Sequence, residues 1–232
     1  MAIENRANLK AHFNRGKIPQ EENFFNLIES NLNLHSGESS VVEGNITFSN
    51  SITATNGMAG ASFDVGPGLV STEGTINKGR VTNINNEIIT TFQIDLTGLK
   101  SYHDDGDVIG RDGIAGAYLM QYKTADHGIL YKTEISCIEL PTASSNVLLD
   151  FDLFLFNSAD KEGDNDLAAA GLAIHTGGGN IAIGTTIQDL TAGDTSDKNN
   201  HYVYLASGNT HGGASVFTAG KLIVKLYGHA TF

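Results

Sequence analysis

The chain has 232 residues, 40% of them hydrophobic, and a formal charge of −12, enough apolar material for one β domain of ordinary size plus an appendage, or for two small domains. So large an acidic excess excludes electrostatic nucleic-acid binding, which needs Lys and Arg to displace phosphate counterions, and favours solubility, repulsion between copies or docking to a basic partner. No apolar run approaches the ~18 residues of a membrane span, and a single cysteine excludes an intrachain disulfide framework and a multi-thiolate metal site.

The first residues, Met1 to Lys10, lack the apolar core of a secretory signal, which predicts synthesis and folding in a cytosol. From Lys17 a helix is expected. Pro19 suits a first helical position, and Glu21 with Glu22 complements the positive end of the helix dipole. Phe24, Leu27, Ile28 and Leu32 then follow helical spacing, with Phe25 widening the stripe, until Ser36-Gly37 stops it. A helix of roughly three to four turns cannot hold itself together, so this apolar face needs a partner surface. Residues 1–35 are therefore read as a helical anchor.

Residues 36–80 shift to Ser, Thr, Asn, Gly and Val, with Val41–Phe48 and Ser51–Thr55 as thin strand candidates. Too little apolar bulk for an independent core predicts either a neck completed by other chains or an ordered but irregular linker. Residues 81–232 are expected to form a β-sandwich or jelly-roll head of about eight antiparallel strands. Glu87–Thr97 alternates with one slip, the pattern of a bulge. Ala117–Tyr122 follows. Ile129–Phe156 carries the densest core signal, two apolar runs around Pro141-Thr-Ala-Ser-Ser145, and predicts two adjacent antiparallel strands. Phe154 and Phe156 predict that the second of them ends buried on both sides. Asp150 and Asp152 alternate with Leu149, Phe151 and Leu153, which places them on a solvent or interface face. Beyond an acidic loop at 158–171 with a helical turn from Leu167, strands are expected at Ile181–Ile183, His201–Ala206 and Lys221–Tyr227.

No motif predicts catalysis or a cofactor. Asp160-Lys-Glu-Gly-Asp-Asn-Asp166 is rich in oxygen ligands but departs from the calcium-loop template at Asn165 and Gly171. His103–Asp107 reads as a polar turn. The eight histidines show no zinc-binding spacing, and Gly-x-Ser-x-Gly is missing from the sequence. Gly220-Lys221 lacks the rest of a phosphate loop. Cys137 lies on the apolar side of its strand and reads as a buried hydrophobe.

Two segments carry a resemblance. Gly16, Pro19, Phe24, Leu27, Ile28, Ser30, Leu32 and Asn33 match a leader found on fibre and decoration proteins of tailed bacteriophages, with Gln20 and Glu29 in place of its Thr and Asp. Asp95-Leu-Thr-Gly-Leu99, Asp107-Val-Ile-Gly110, Ile138–Ala143, Tyr202–Leu205 and Ala219–His229 resemble a β-rich virion protein of marine phages, including those of cyanobacteria. The resemblance implies a non-enzymatic structural protein that decorates or cements a capsid, made in the host cytoplasm and assembled as a homotrimer with its N-terminus toward the particle. Its partners would be copies of itself and the major capsid protein or another virion protein. Phe24, Phe25, Leu27, Ile28 and Leu32 would then make the particle or oligomer contact. The alternative is a tail-fibre or baseplate protein that binds a receptor or host surface glycan. Tyr102, Tyr118, Tyr122 or Asn199–Tyr202 would be its contacts, without tryptophan, the best residue for stacking on a sugar.

Overall fold

The fold is taken from a computed structural model, which describes residues 62–70, 77–84, 86–177, 179–190, 194–208 and 213–230. The expected anchor, with Phe24, Phe25, Leu27, Ile28 and Leu32, and the strand candidates at 41–55 lie outside these residues. Within them the chain is mainly β, and every strand pairing is antiparallel. The strands are β1 (Ser62–Asp64), β2 (Lys78–Ile84), β3 (Glu87–Asp95), β4 (Lys100–Ser101), β5 (Tyr118–Gln121), β6 (Ile129–Ala143), β7 (Phe151–Phe156), β8 (Leu172–His175), β9 (Thr186–Leu190), β10 (Tyr202–Ser207) and β11 (Ser215–His229). One four-residue helix, α1 (Thr124–His127), precedes β6.

A larger sheet runs β1-β2-β3-β11-β6-β9, with β4 beside the start of β11, and a smaller sheet runs β5-β10-β7-β8. Successive pairs fall in alternate sheets: β3 with β11, β5 with β10, β6 with β9, β7 with β8. Inward residues of both sheets join one core, including Phe92, Ile94, Ile135, Leu222, Val224 and Leu226 from the larger and Leu119, Leu153, Leu155, Val203 and Leu205 from the smaller. Apolar burial on this scale is the main favourable contribution to the fold. β1 and the first residues of β2 belong to the segment expected to be a neck, yet they extend the edge of the larger sheet. The sheet therefore begins before residue 81.

The two halves of Ile129–Phe156 are not a hairpin. β6 pairs with β11 and β9, β7 with β10 and β8, and the link between them crosses from one sheet to the other. The apparent turn residues misled because β6 continues through Pro141 to Ala143. Proline is tolerated there because β9 reaches only Ser136, which leaves Pro141 on a free edge, and because pairing with β11 is irregular around Gly220. Gly220 has φ +137, and a Cβ on it would stand 2.9 Å from the Pro141 Cα.

β3 has no bulge. Ile88, Thr90, Phe92 and Ile94 point inward in strict alternation, and the apparent slip is Thr90, a buried polar residue whose hydroxyl meets Nδ1 of the buried His127 at 3.0 Å. The irregularities sit in the pairing of β6 with β11 instead, at Tyr131, at Ile138 and around Gly220. The strand expected at Ile181–Ile183 is a turn, with the strand itself at β9. The expectation of double-sided burial in β7 holds from Phe151 to Leu155, all buried, while Phe156 at the end of the strand is half-buried. The helical turn at 167–171 is present as two hydrogen bonds to Leu167 O, from Ala170 N at 3.3 Å and Gly171 N at 2.7 Å.

Candidate functional site

The two sheets differ on their outward sides. Above the smaller sheet, loops close over the strands. Val108 bridges to Ala206, and the Tyr204 hydroxyl, itself fully buried, donates to Ser158 O at 2.6 Å. Leu167 is buried, and a Cβ on Gly171 would stand 3.3 Å from the Phe154 ring. Side-chain oxygens of these loops cap their own turns. Asp107 Oδ2 accepts from Asp104 N, Asn165 Oδ1 from Glu162 N, and Asp166 Oδ1 from Ala168 N.

Asp150 and Asp152 lie under this cover, each only 5% exposed, so they are not on a solvent face. The sequence shows their alternation with apolar residues but not the loops that shut out water. Asp152 stands opposite Ala206, and Asp150 accepts Gly208 N at its backbone oxygen, 3.0 Å. A Cβ on Gly208 would come 2.7 Å from the Asp150 carboxyl carbon, and one on Gly177 would lie 3.2 Å from Asp150 Oδ1 and 3.5 Å from Asp152 Oδ1. Glycine at both positions lets the backbone pass this close. Burial pushes the Asp152 carboxyl up to about 7, with the charges of Asp150, Asp105 and Asp189 adding to the effect. Asp152 is thus a proton-holding group near neutral pH. Asp189, one of the charges acting on it, is engaged by Thr176, whose N and Oγ1 donate to its Oδ2 at 2.9 and 3.3 Å.

His175 faces the core from β8 and is 1% exposed. The Thr133 hydroxyl donates to Ile174 O at 3.1 Å, which leaves it to accept from His175 Nδ1–H at 2.8 Å and fixes the tautomer. Nε2 has no hydrogen-bond partner among the described residues, and burial depresses the ring's pKa to about 4, so the ring is neutral at pH 7. His175 lies in a strand that the sequence did not reveal. Among the described residues no three His, Cys, Asp or Glu side chains are grouped to hold a metal ion.

Among the described residues no loop closes over the outward side of the larger sheet. The registers align Arg80, Thr91, Lys225, Glu134 and Gln188 in one row across five strands, and Thr82, Ile89, Tyr227, Lys132 and Leu190 in the next. Glu134 is the one residue of these rows that is buried, and it is surrounded by donors: Tyr227 Oη at 2.7 Å, Lys132 Nζ at 3.0 Å and Lys225 Nζ at 3.9 Å. Burial alone would raise its pKa, but the hydrogen bonds from Tyr227 and Lys132 and the two lysine charges hold it below its ordinary value. Lys132 sits over the Tyr227 ring at 3.7 Å, and Tyr131 stacks on His229 with centroids 4.5 Å apart while its hydroxyl donates to Glu87.

The aromatic residues expected to meet a sugar are placed otherwise. Tyr102 and Tyr122 are buried, with hydroxyls on Asp112 and Gly128 O. Tyr118 and Tyr202 are half-buried against each other, 5.0 Å between centroids. Cys137 is buried as expected. A groove of about 570 Å³ opens near α1, floored by Val81, Ile88 and Met120 with Lys123, Asp126 and His127 at its side. It presents an apolar floor and the His127 imidazole, whose pKa burial holds below its ordinary value. No family model, curated protein or solved structure matches the chain.

Proposed function

We propose that the chain is a non-enzymatic structural protein of a phage virion, a homotrimer that decorates or cements the outside of the capsid and is held there by residues 1–35. The observation that carries this reading is the leader match at Gly16, Pro19, Phe24, Leu27, Ile28, Ser30, Leu32 and Asn33, joined to an antiparallel β head. The head is read as a jelly roll. Counting β3 and β5 to β11 as strands one to eight, one pairs with eight, two with seven, three with six and four with five, in alternate sheets. That is how a long antiparallel hairpin looks once rolled up, and the architecture is shared by viral capsid and lectin domains. This support is analogy, because a fold does not fix a function.

Each of the five apolar anchor side chains contributes about 1.5–3 kcal/mol when fully buried against the major capsid protein or another virion protein. Part of that sum is offset by the cost of ordering the segment. The test is co-sedimentation of the full chain with particles that lack it. The wild type should bind, and the quadruple variant Phe24→Ser, Leu27→Ser, Ile28→Ser, Leu32→Ser should stay in the supernatant with an unchanged β-type circular dichroism spectrum. Full occupancy by the quadruple variant would refute the anchor, and a wild-type chain that never joins particles would refute the virion reading.

A further inference from the structure

We infer that copies of this chain meet through the open outward face of the larger sheet. The inference rests on the self-assembly part of the reading above and names the surface that performs it.

Charge selects the face. Five basic residues lie on it: Lys78, Arg80, Lys132, Lys221 and Lys225. Four acidic residues are interspersed with them: Glu87, Asp95, Glu134 and Glu139. The rest of residues 62–232 carries five basic against sixteen acidic residues. Two copies approaching through any strongly acidic surface meet like charge, which costs several kcal/mol in the wrong pairing. The sheet face is balanced, with its charges interspersed, so a second copy finds both signs opposite both signs.

Area and chemistry agree with this. Five strands about 4.8 Å apart and up to nine residues long give a footprint of roughly 24 by 30 Å, on the order of 700 Å². A standard interface takes ~800 Å² from each partner. Ile89, Ile223 and Tyr227 are half-buried in the middle of the face, and Leu190 at its edge is 73% exposed. Tyr227 and Lys132 are already held by Glu134 and by each other, so little side-chain freedom is left to lose on association.

The experiment is sedimentation equilibrium of the full chain, wild type and Ile223→Glu, with Asp160→Lys on the opposite side as control. The wild type and the control should associate. Ile223→Glu should weaken association at least tenfold while the thermal midpoint of the protomer stays in place. Gln93→Cys carrying a spin label in the middle of the face gives a second readout that needs no disrupted fold: dipolar coupling between labels in the assembled wild-type background. A wild-type monomer at all concentrations, or oligomers with no label coupling and no response to Ile223→Glu, overturns the inference. A chain that decorates particles as a monomer also refutes it while leaving the virion reading intact. A chain that assembles through this face but never joins particles does the reverse.

Discussion

Glu134 and Asp152 are both carboxylates on the outward side of a sheet, both more than nine-tenths buried, and their acidities move in opposite directions. Under the loops of the smaller sheet Asp152 has lost water and has only acids for charged neighbours, so it holds its proton to about 7. On the open sheet Glu134 has lost as much exposure but gained a tyrosine hydroxyl and two ammonium groups, so it stays ionised. Burial is common to both, and the sign is decided by what replaces the water.

The largest test of this contrast concerns packing. If the loops make the outward side of the smaller sheet a second core, Phe154→Ala should cost about 3–5 kcal/mol, as large-to-small core changes do. Val216→Ala, on β11 and 42% exposed, should change stability by less than ~0.5 kcal/mol. Urea denaturation of both variants would show it, and equal small losses would mean that the loops do not pack.

Asp152→Asn comes next. The folded carboxyl titrates near 7 and the unfolded one near 3.8, so between those values the folded chain binds the extra proton and stability falls as pH rises. The variant should be more stable than wild type by up to ~4 kcal/mol above pH 7 and equal to it below pH ~4. Parallel pH profiles for the two would contradict the burial of an acidic pair. His175 opposes this slope. Its folded pKa of about 4 lies below the ordinary 6.5, so its neutral burial is favourable above that window and costs stability as pH falls through it.

A smaller effect than that of Asp152→Asn belongs to Glu134→Gln, which removes the negative charge facing one tyrosine and two lysines and turns one acceptor oxygen into a donor, and should cost about 1–2 kcal/mol at pH 7. The Glu134 contribution is lost as pH falls below its ordinary 4.5 toward the depressed folded value, so wild type and variant should converge in acid. Asp152→Asn and Glu134→Gln should therefore have effects of opposite sign at pH 7 that both vanish in acid. A shared sign at pH 7 would break the comparison.

Much of the head was legible because its strongest signals are repetitive. Leu222, Val224 and Leu226 alternate with Ile223 and Tyr227, and the structure places them on opposite sides of β11 as expected. Phe154 and Phe156 marked the double burial of β7. What was hidden depended on neighbours distant in sequence. β9 reads Thr-Ile-Gln-Asp-Leu, with no apolar face of its own, and is a strand because β6 offers it hydrogen bonds. Thr90 looked like a break in β3 because its partner, His127, lies 37 residues away. Asp150 and Asp152 looked wet because the residues that dry them come from loops elsewhere in the chain. Ile129–Phe156 kept its standing as the densest core segment but belongs to two sheets.

The position of β11 has a consequence in time. Of the eleven strands among the described residues it is the last to leave the ribosome, and it is the neighbour that β3, β4 and β6 all require. Until it emerges, β3 and β6 present raw hydrogen-bonding edges and a half-built apolar layer, the kind of nascent species that chaperones bind and that aggregates when crowded. Pairings that join the first strands to the last also place the head among slow folders, in the millisecond-to-second range. Yield in a cell should therefore respond to growth temperature and chaperone supply more than to any single surface residue.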